Sequence, residues 1–193
     1  MRATPKSLML VCTVLLAGGI ALAQDQAKAP KPAGTPSEEM ITQWNDVNGK
    51  IVAMAKDFPE DKFDFKVQKD QRTFAQNVLH VAGADYEFMT AIAGKRMGPE
   101  IKDIENPSRE AYRTKAAVVA LIEHATTDGA ALIKSQGDAR LNETMKNPFA
   151  NSMAHVSSIW IEAIEHAGEH YGQLVVYYRA NGLVPPESRP QPK

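Results

Sequence analysis

Apolar positions along the chain fall into four helical stripes, separated by polar connections punctuated with proline. Met40, Trp44, Val47, Ile51, Met54 and Phe58 alternate at spacings of four and three, which predicts one buried helix face. Thr35-Pro36-Ser37-Glu38 gives this helix a start, with Thr35 as N-cap, Pro36 at the first helical position and Glu38 completing a capping box. Pro59 ends it near Asp57. Phe74, Val78, Val81, Phe88 and Ile92 predict a second helix from about Asp70 to Gly94. Ala111, Val118, Ile122, Ala125 and Leu132 predict a third, from about Ser108 to Gln136, with Gly137 as its C-terminal stop. A fourth runs from about Asn151 to Ala180, where Asn181-Gly182 and then Pro185-Pro186 prevent continuation. No segment sustains the alternation that predicts a strand, and there is no internal repeat or coiled-coil seam. The expectation is all-α: a four-helix bundle over residues 35–186, with the order of helices around the core left open.

The first residues change the picture of what the cell receives. Arg2 and Lys6 precede an apolar run from about Leu8 to Ala17, and Ala21-Leu22-Ala23 has the small-x-small form of a cleavage site. This predicts a secretory signal peptide over residues 1–23, cleaved before Gln24, leaving no stable membrane span and an exported, periplasmic or secreted protein. Residues 24–34 are polar and rich in Pro, Ala and Lys, a disordered linker by composition, and residues 187–193 form a short tail. Cys12 is the single cysteine and lies in the signal, so the mature chain has neither disulfide nor thiolate. Cleavage removes two cations and no acid from a chain of 22 Lys+Arg and 23 Asp+Glu. The mature protein is mildly acidic without a basic stripe, which argues against a nucleic-acid partner.

The fourth stripe is where chemistry enters. Positions 155, 159, 162, 166, 170, 173 and 177 share one helical face and hold His155, Ile159, Glu162, His166, His170, Gln173 and Tyr177. Burying such groups without partners costs about 1–3 kcal/mol each. A metal would offset that cost, because histidines four apart stand ~6 Å apart along the axis and ~40° around it, and can converge on one cation. Hydrogen-bonded core or surface histidines are the competing reading of the same spacing. His80, at the edge of the second stripe, is the best third ligand. His124 points away from the third helix's core, and His155 stands too far from His166 to join it and reads as a structural polar residue. His166-Ala167-Gly168-Glu169-His170 also matches the inverted zinc-protease signature, but Glu187 is the sole acid after it, which rejects that reading.

Three separated elements carry a resemblance: His80 within F-A-Q-N-V-L-H-V-A-G-A-D-Y-E-F, the last helix's H-x-x-x-H-x-G-Q, and the ending Y-Y-R-A-N-G-L-V-P-P. Together they resemble the DinB/YfiT-like family of four-helix metal-binding bundles, over about Thr35 to Pro186. The resemblance implies an up-down-down-up bundle in which His80, His166 and His170 hold one divalent ion, zinc or nickel foremost. Members often carry a further histidine and an arginine before the Gly-Gln, where this chain has Glu169 and Tyr171.

A three-histidine site with open positions is the catalytic rather than the structural arrangement. The expectation is a metal-dependent enzyme of transferase, isomerase or hydrolase type acting on a small molecule, with Glu169 as candidate acid–base residue and Glu162 and Gln173 as its neighbours. The alternative is a non-catalytic periplasmic protein that binds a metal or ligand. The sequence leaves open a homodimer as well as a monomer.

Overall fold

In the computed structural model, residues 32–190 are described; the expected signal peptide, most of the linker and the last three residues lie outside them. Four long helices account for the fold: α1 (Pro36–Asp57), α2 (Phe74–Ala93), α3 (Lys115–Leu141) and α4 (Val156–Ala180). The capping box expected at Thr35 and Glu38 is formed. A second one, Thr73 with Gln76, starts α2 three residues after Asp70, and Thr114 caps α3 well past Ser108. The stripes alone set these starts too early, because the polar residues ahead of each cap are helix-compatible but uncapped.

Two short strands, β1 (Thr144–Lys146) and β2 (Met153–His155), pair antiparallel between α3 and α4, with Thr144 opposite His155. They correct the expectation of a strand-free chain and of a helix from Asn151. Three-residue strands are too short to show a period of two.

Around the bundle α1 packs on α3, α3 on α2, α2 on α4 and α4 back on α1. Ser37, at the start of α1, donates its backbone N–H to Asp138 at the end of α3 (2.8 Å), so these two run antiparallel. Arg140, also late in α3, reaches the carbonyl of Ile92 at the end of α2 (3.1 Å), so α2 and α3 run the same way. Tyr178 near the end of α4 donates to the carbonyl of Met54 late in α1 (2.9 Å), so α1 and α4 share the other direction. This is the up-down-down-up order that the resemblance implies.

The core is continuous through all four helices and includes Trp44, Ile51, Phe58, Phe74, Ile122, Trp160 and Tyr178. Trp44 stands edge-on to Trp160 (centroids 5.3 Å) and donates Nε1–H to the carbonyl of Thr126 (2.8 Å). It lies so close to α3 that a Cβ on Gly129 would fall 2.3 Å from its ring. Gly137, with φ +66 and ψ −174, breaks α3 where the sequence predicts a stop, but a last turn follows through Leu141.

Parallel neighbours need a long return. The α2–α3 connection, residues 94–114, must cover the length of a 20-residue helix, ~30 Å, to bring the chain back to the start of α3. It does so across the outer face of α2.

Candidate metal centre

α2 is buried almost all round, and His80, two turns into it, is only 4% exposed. Because α4 runs antiparallel beside it, His166 and His170 meet His80 from the neighbouring helix. The three ring pairs have centroids 5.0, 4.6 and 4.5 Å apart. One nitrogen from each ring can be chosen so that all three lie within 4.8 Å of one another. His170 is 5% exposed and His166 half-buried.

The outer nitrogens fix the protons. His80 Nδ1 lies 2.6 Å from the carbonyl oxygen of Ile104, which can only accept, so Nδ1 carries the hydrogen and Nε2 is a bare lone pair. His170 Nδ1 lies 2.7 Å from Asn77 Oδ1, and Asn77 Nδ2 in turn donates to Gln173 Oε1 (3.3 Å). That orientation makes Asn77 the acceptor and leaves His170 Nε2 bare as well. The Nε2 atoms of His80 and His166 stand 3.1 Å apart.

Burial holds these imidazoles neutral. It lowers His170 to about 3, and the repulsion that a proton on His166 or His80 would add acts in the same direction. It lowers His166 to about 4, helped by His80. His80 is also lowered, burial outweighing the opposing pull of the Ile104 carbonyl.

Two bare lone pairs thus converge with a third nitrogen, and His166 can supply one proton between them at most. A divalent cation completes such a set. Two nitrogens bound at ~2.0–2.1 Å to a tetrahedral ion stand roughly 3.3 Å apart, close to the spacing of His80 and His166. Nδ1 of His80 and of His170 donates outward, as metal-bound histidines do; Nδ1 of His166 is buried without a hydrogen-bond partner among the described residues. The residues present fit a divalent ion.

The remaining sequence candidates fall elsewhere. His124 is exposed on α3, as expected. His155 is not on the helix-four face at all; it sits in β2 as the residue before α4, exposed, with Nδ1 2.9 Å from the carbonyl oxygen of Asn142. Glu169 is exposed, Glu162 half-buried, and neither makes a side-chain hydrogen bond or ion pair among the described residues. Gln173 reaches the centre through Asn77. Tyr177 and Tyr178 bond backbone carbonyls of Arg72 and Met54, a packing role. Sequence reasoning missed Asn77 and the Ile104 carbonyl. Asn77 had a signal, a buried-stripe amide three residues before His80; a loop carbonyl has none.

Two cavities, each about 400 Å³, are lined in part by the α2–α3 connection, one by Ile101 and Ile104 and the other by Glu105 and Asn106. One includes Gly83, Glu87, Ile101, Ile104 and Phe149. The other includes Arg72, Glu105, Asn106, Gln173 and Tyr177.

A family model described as the DinB superfamily matches residues 43–174. Among solved structures, a DinB-like protein from Bacillus cereus superposes with a TM-score of 0.65 at 19% identity, covering 77% of this chain and 95% of that one. YfiT from Bacillus subtilis, described as a probable metal-dependent hydrolase with an unusual four-helix bundle topology, gives 0.56 at 15% identity, over 80% of this chain and 93% of that one. The DinB-like protein YjoA from Bacillus subtilis gives 0.57 at 15%, over 75% and 92%. At these identities the likeness is one of fold. No curated protein matches the chain.

Proposed function

The chain belongs to the DinB superfamily, and from that membership and the histidine geometry we propose that it is a divalent-metal-dependent enzyme, of hydrolase type before transferase or isomerase, acting on a small molecule. One observation carries the reading: three imidazole nitrogens converge, and two of them are held proton-free by hydrogen bonds on the far side of the ring. The description of YfiT as a probable metal-dependent hydrolase favours hydrolysis among the three reaction types.

His80, His166 and His170 would hold the ion, zinc or nickel foremost. When bound, it supplies Lewis acidity that polarises a substrate oxygen or makes water a nucleophile near neutral pH. Three histidines leave at least one tetrahedral position to exchangeable ligands. Asn77 and Ile104 hold two ligands in their productive tautomer, and burial of His80 and His170 keeps bulk water off the protein side of the centre. Glu169, beside His170 in sequence and exposed, is proposed as the proton-transfer carboxylate acting from the solvent side.

The test is metal analysis of protein purified without a histidine tag, then turnover on ester, amide and thiol-transfer panels. Stoichiometric metal with metal-dependent turnover, lost in His80→Ala, supports the reading. Bound metal with no turnover on any panel favours the non-catalytic binding protein. Glu169→Gln is expected to lower turnover at least tenfold while leaving metal affinity within about twofold; unchanged turnover removes Glu169 from the proposal. Export is proposed on Arg2, Lys6, the apolar run and Ala21-Leu22-Ala23, and a mature N-terminus at Gln24 is the result expected from N-terminal sequencing.

A further inference from the structure

His80 owes its orientation to a backbone carbonyl on a loop, and that loop is held down by a row of residues along one face of α2. Arg72, just before the helix, donates Nε–H to the carbonyl of Glu105 (2.5 Å) and Nη2–H to its carboxylate (2.6 Å). One turn on, Gln76 Nε2 donates to the carbonyl of Pro107 (3.3 Å). The next turn holds His80 itself, 2.6 Å from the oxygen of Ile104. Gly83 follows. A Cβ there would stand 3.3 Å from Ile101 Cδ1 and from Ile104 Cγ1, so the bare backbone is the floor on which both isoleucines rest. Within the loop, Asp103 takes a positive φ of 49 and accepts from the backbone N–H of Asn106 through its side chain (3.0 Å). This turn bends the chain so that the Ile104 carbonyl faces the helix. An aspartate tolerates that backbone better than most residues.

We infer that Gly83 and Arg72 are positioning residues of the histidine centre: they seat the segment Ile101–Pro107 so that Ile104 holds His80 with Nε2 turned toward His166 and His170. Without that seat the ring is free to take the other tautomer or to turn away, and the centre loses one of its two proton-free nitrogens. The inference rests on the metal reading only for its effect on affinity; the orientation of His80 is a property of the metal-free protein.

Three variants test it. Gly83→Leu drives a side chain into the floor. Gly83→Leu/Ile104→Ala removes one of the two side chains that it meets, the one on the residue whose carbonyl holds His80. Arg72→Met breaks the clamp on Glu105 without adding bulk inside. Two readouts apply: nitrogen chemical shifts of His80 in metal-free protein, which report its tautomer, and calorimetric titration with zinc. Gly83→Leu and Arg72→Met are expected to lose the single Nδ1–H signature and to weaken zinc binding by about 10–100-fold, the usual cost of losing the partner of a metal-bound histidine. The double variant is expected to restore the tautomer signature and to recover affinity to within about threefold of the original. A merely structural role for Gly83 would lower the melting temperature without moving the tautomer. A folded Gly83→Leu that keeps the Nδ1–H tautomer overturns the inference for Gly83. If that variant does not fold, Arg72→Met decides alone, and an unchanged tautomer there overturns the seat. Should the unsubstituted protein bind no zinc while the tautomer responds as expected, the metal reading fails and the positioning stands.

Discussion

Asn77 does for His170 what the carbonyl of Ile104 does for His80: it accepts a hydrogen bond from Nδ1–H and so leaves the inner nitrogen without a proton. Asn77→Leu removes that acceptor and should weaken divalent-metal binding about 10–100-fold by calorimetry, whereas Asn77→Asp, which still accepts, should bind at least as tightly. The same burial gives the metal-free protein an acid liability. The folded imidazoles of His166 and His170 are lowered to about 4 and about 3, against an unfolded value near 6.5. The unfolded chain therefore takes up protons first, and the contribution of these two histidines is full above about pH 6.5 and lost as pH falls toward 3. Urea melts of metal-free protein between pH 7 and 4 check this, and His170→Phe should flatten the slope. Asp85 has the opposite sign. Fully buried, without a hydrogen-bond partner among the described residues, its carboxyl is pushed well above the ordinary value by desolvation. The unfolded carboxyl ionises from about pH 4, so Asp85 weakens the fold as pH rises beyond that. Asp85→Asn should raise the melting temperature at pH 7 by about 2–4 °C or more per kcal/mol recovered, and by little at pH 3. Of the residues in the centre, His166 and His170 were legible from spacing and His80 from its place at a stripe's edge. Asn77 was visible only as an odd amide, and Ile104 not at all, since its contribution is a main-chain atom delivered by tertiary contact.

At the level of elements, what the sequence states clearly is what repeats. The α1 face of Trp44, Ile51, Met54 and Phe58 is fully buried, as its period requires, and its capping box forms where Thr35 and Glu38 predict. Starts without a clear local signature, such as that of α4 at Val156, are set by what lies before them, here the β1–β2 pairing, and periodicity cannot see that. Contact between elements depends on single small residues that no period marks. Gly129 is one: its missing side chain lets Trp44 lie against α3 and reach the carbonyl of Thr126. Gly129→Ala gains helix propensity yet must displace an indole, and should destabilise by about 1–3 kcal/mol in denaturant melts. If it stabilises instead, the Trp44 contact is looser than these distances state.

For the whole molecule, the ring order puts α2 and α4 side by side and α1 opposite α2. The histidines therefore bridge the α2–α4 edge of the bundle, and none of the three comes from α1 or α3. A cation held there ties α2 to α4. At a hundredfold excess over its dissociation constant it should add about 2.7 kcal/mol to stability, roughly 5–10 °C for a chain of this size, and chelation should reverse the gain. No shift in the melting temperature on adding zinc or nickel would mean that the histidines grip nothing.

The kink at Gly137 has a reach out of proportion to its size. Beyond it, one turn of α3 sets Asp138 against the first amides of α1 and Arg140 against the last carbonyls of α2. A single inversion of backbone handedness thereby fastens three helices at one rim of the bundle, like a buckle on a strap end. Any substitution that denies residue 137 that handedness should first fray this rim, while the opposite rim, latched by Arg189 on Asp57, stays shut.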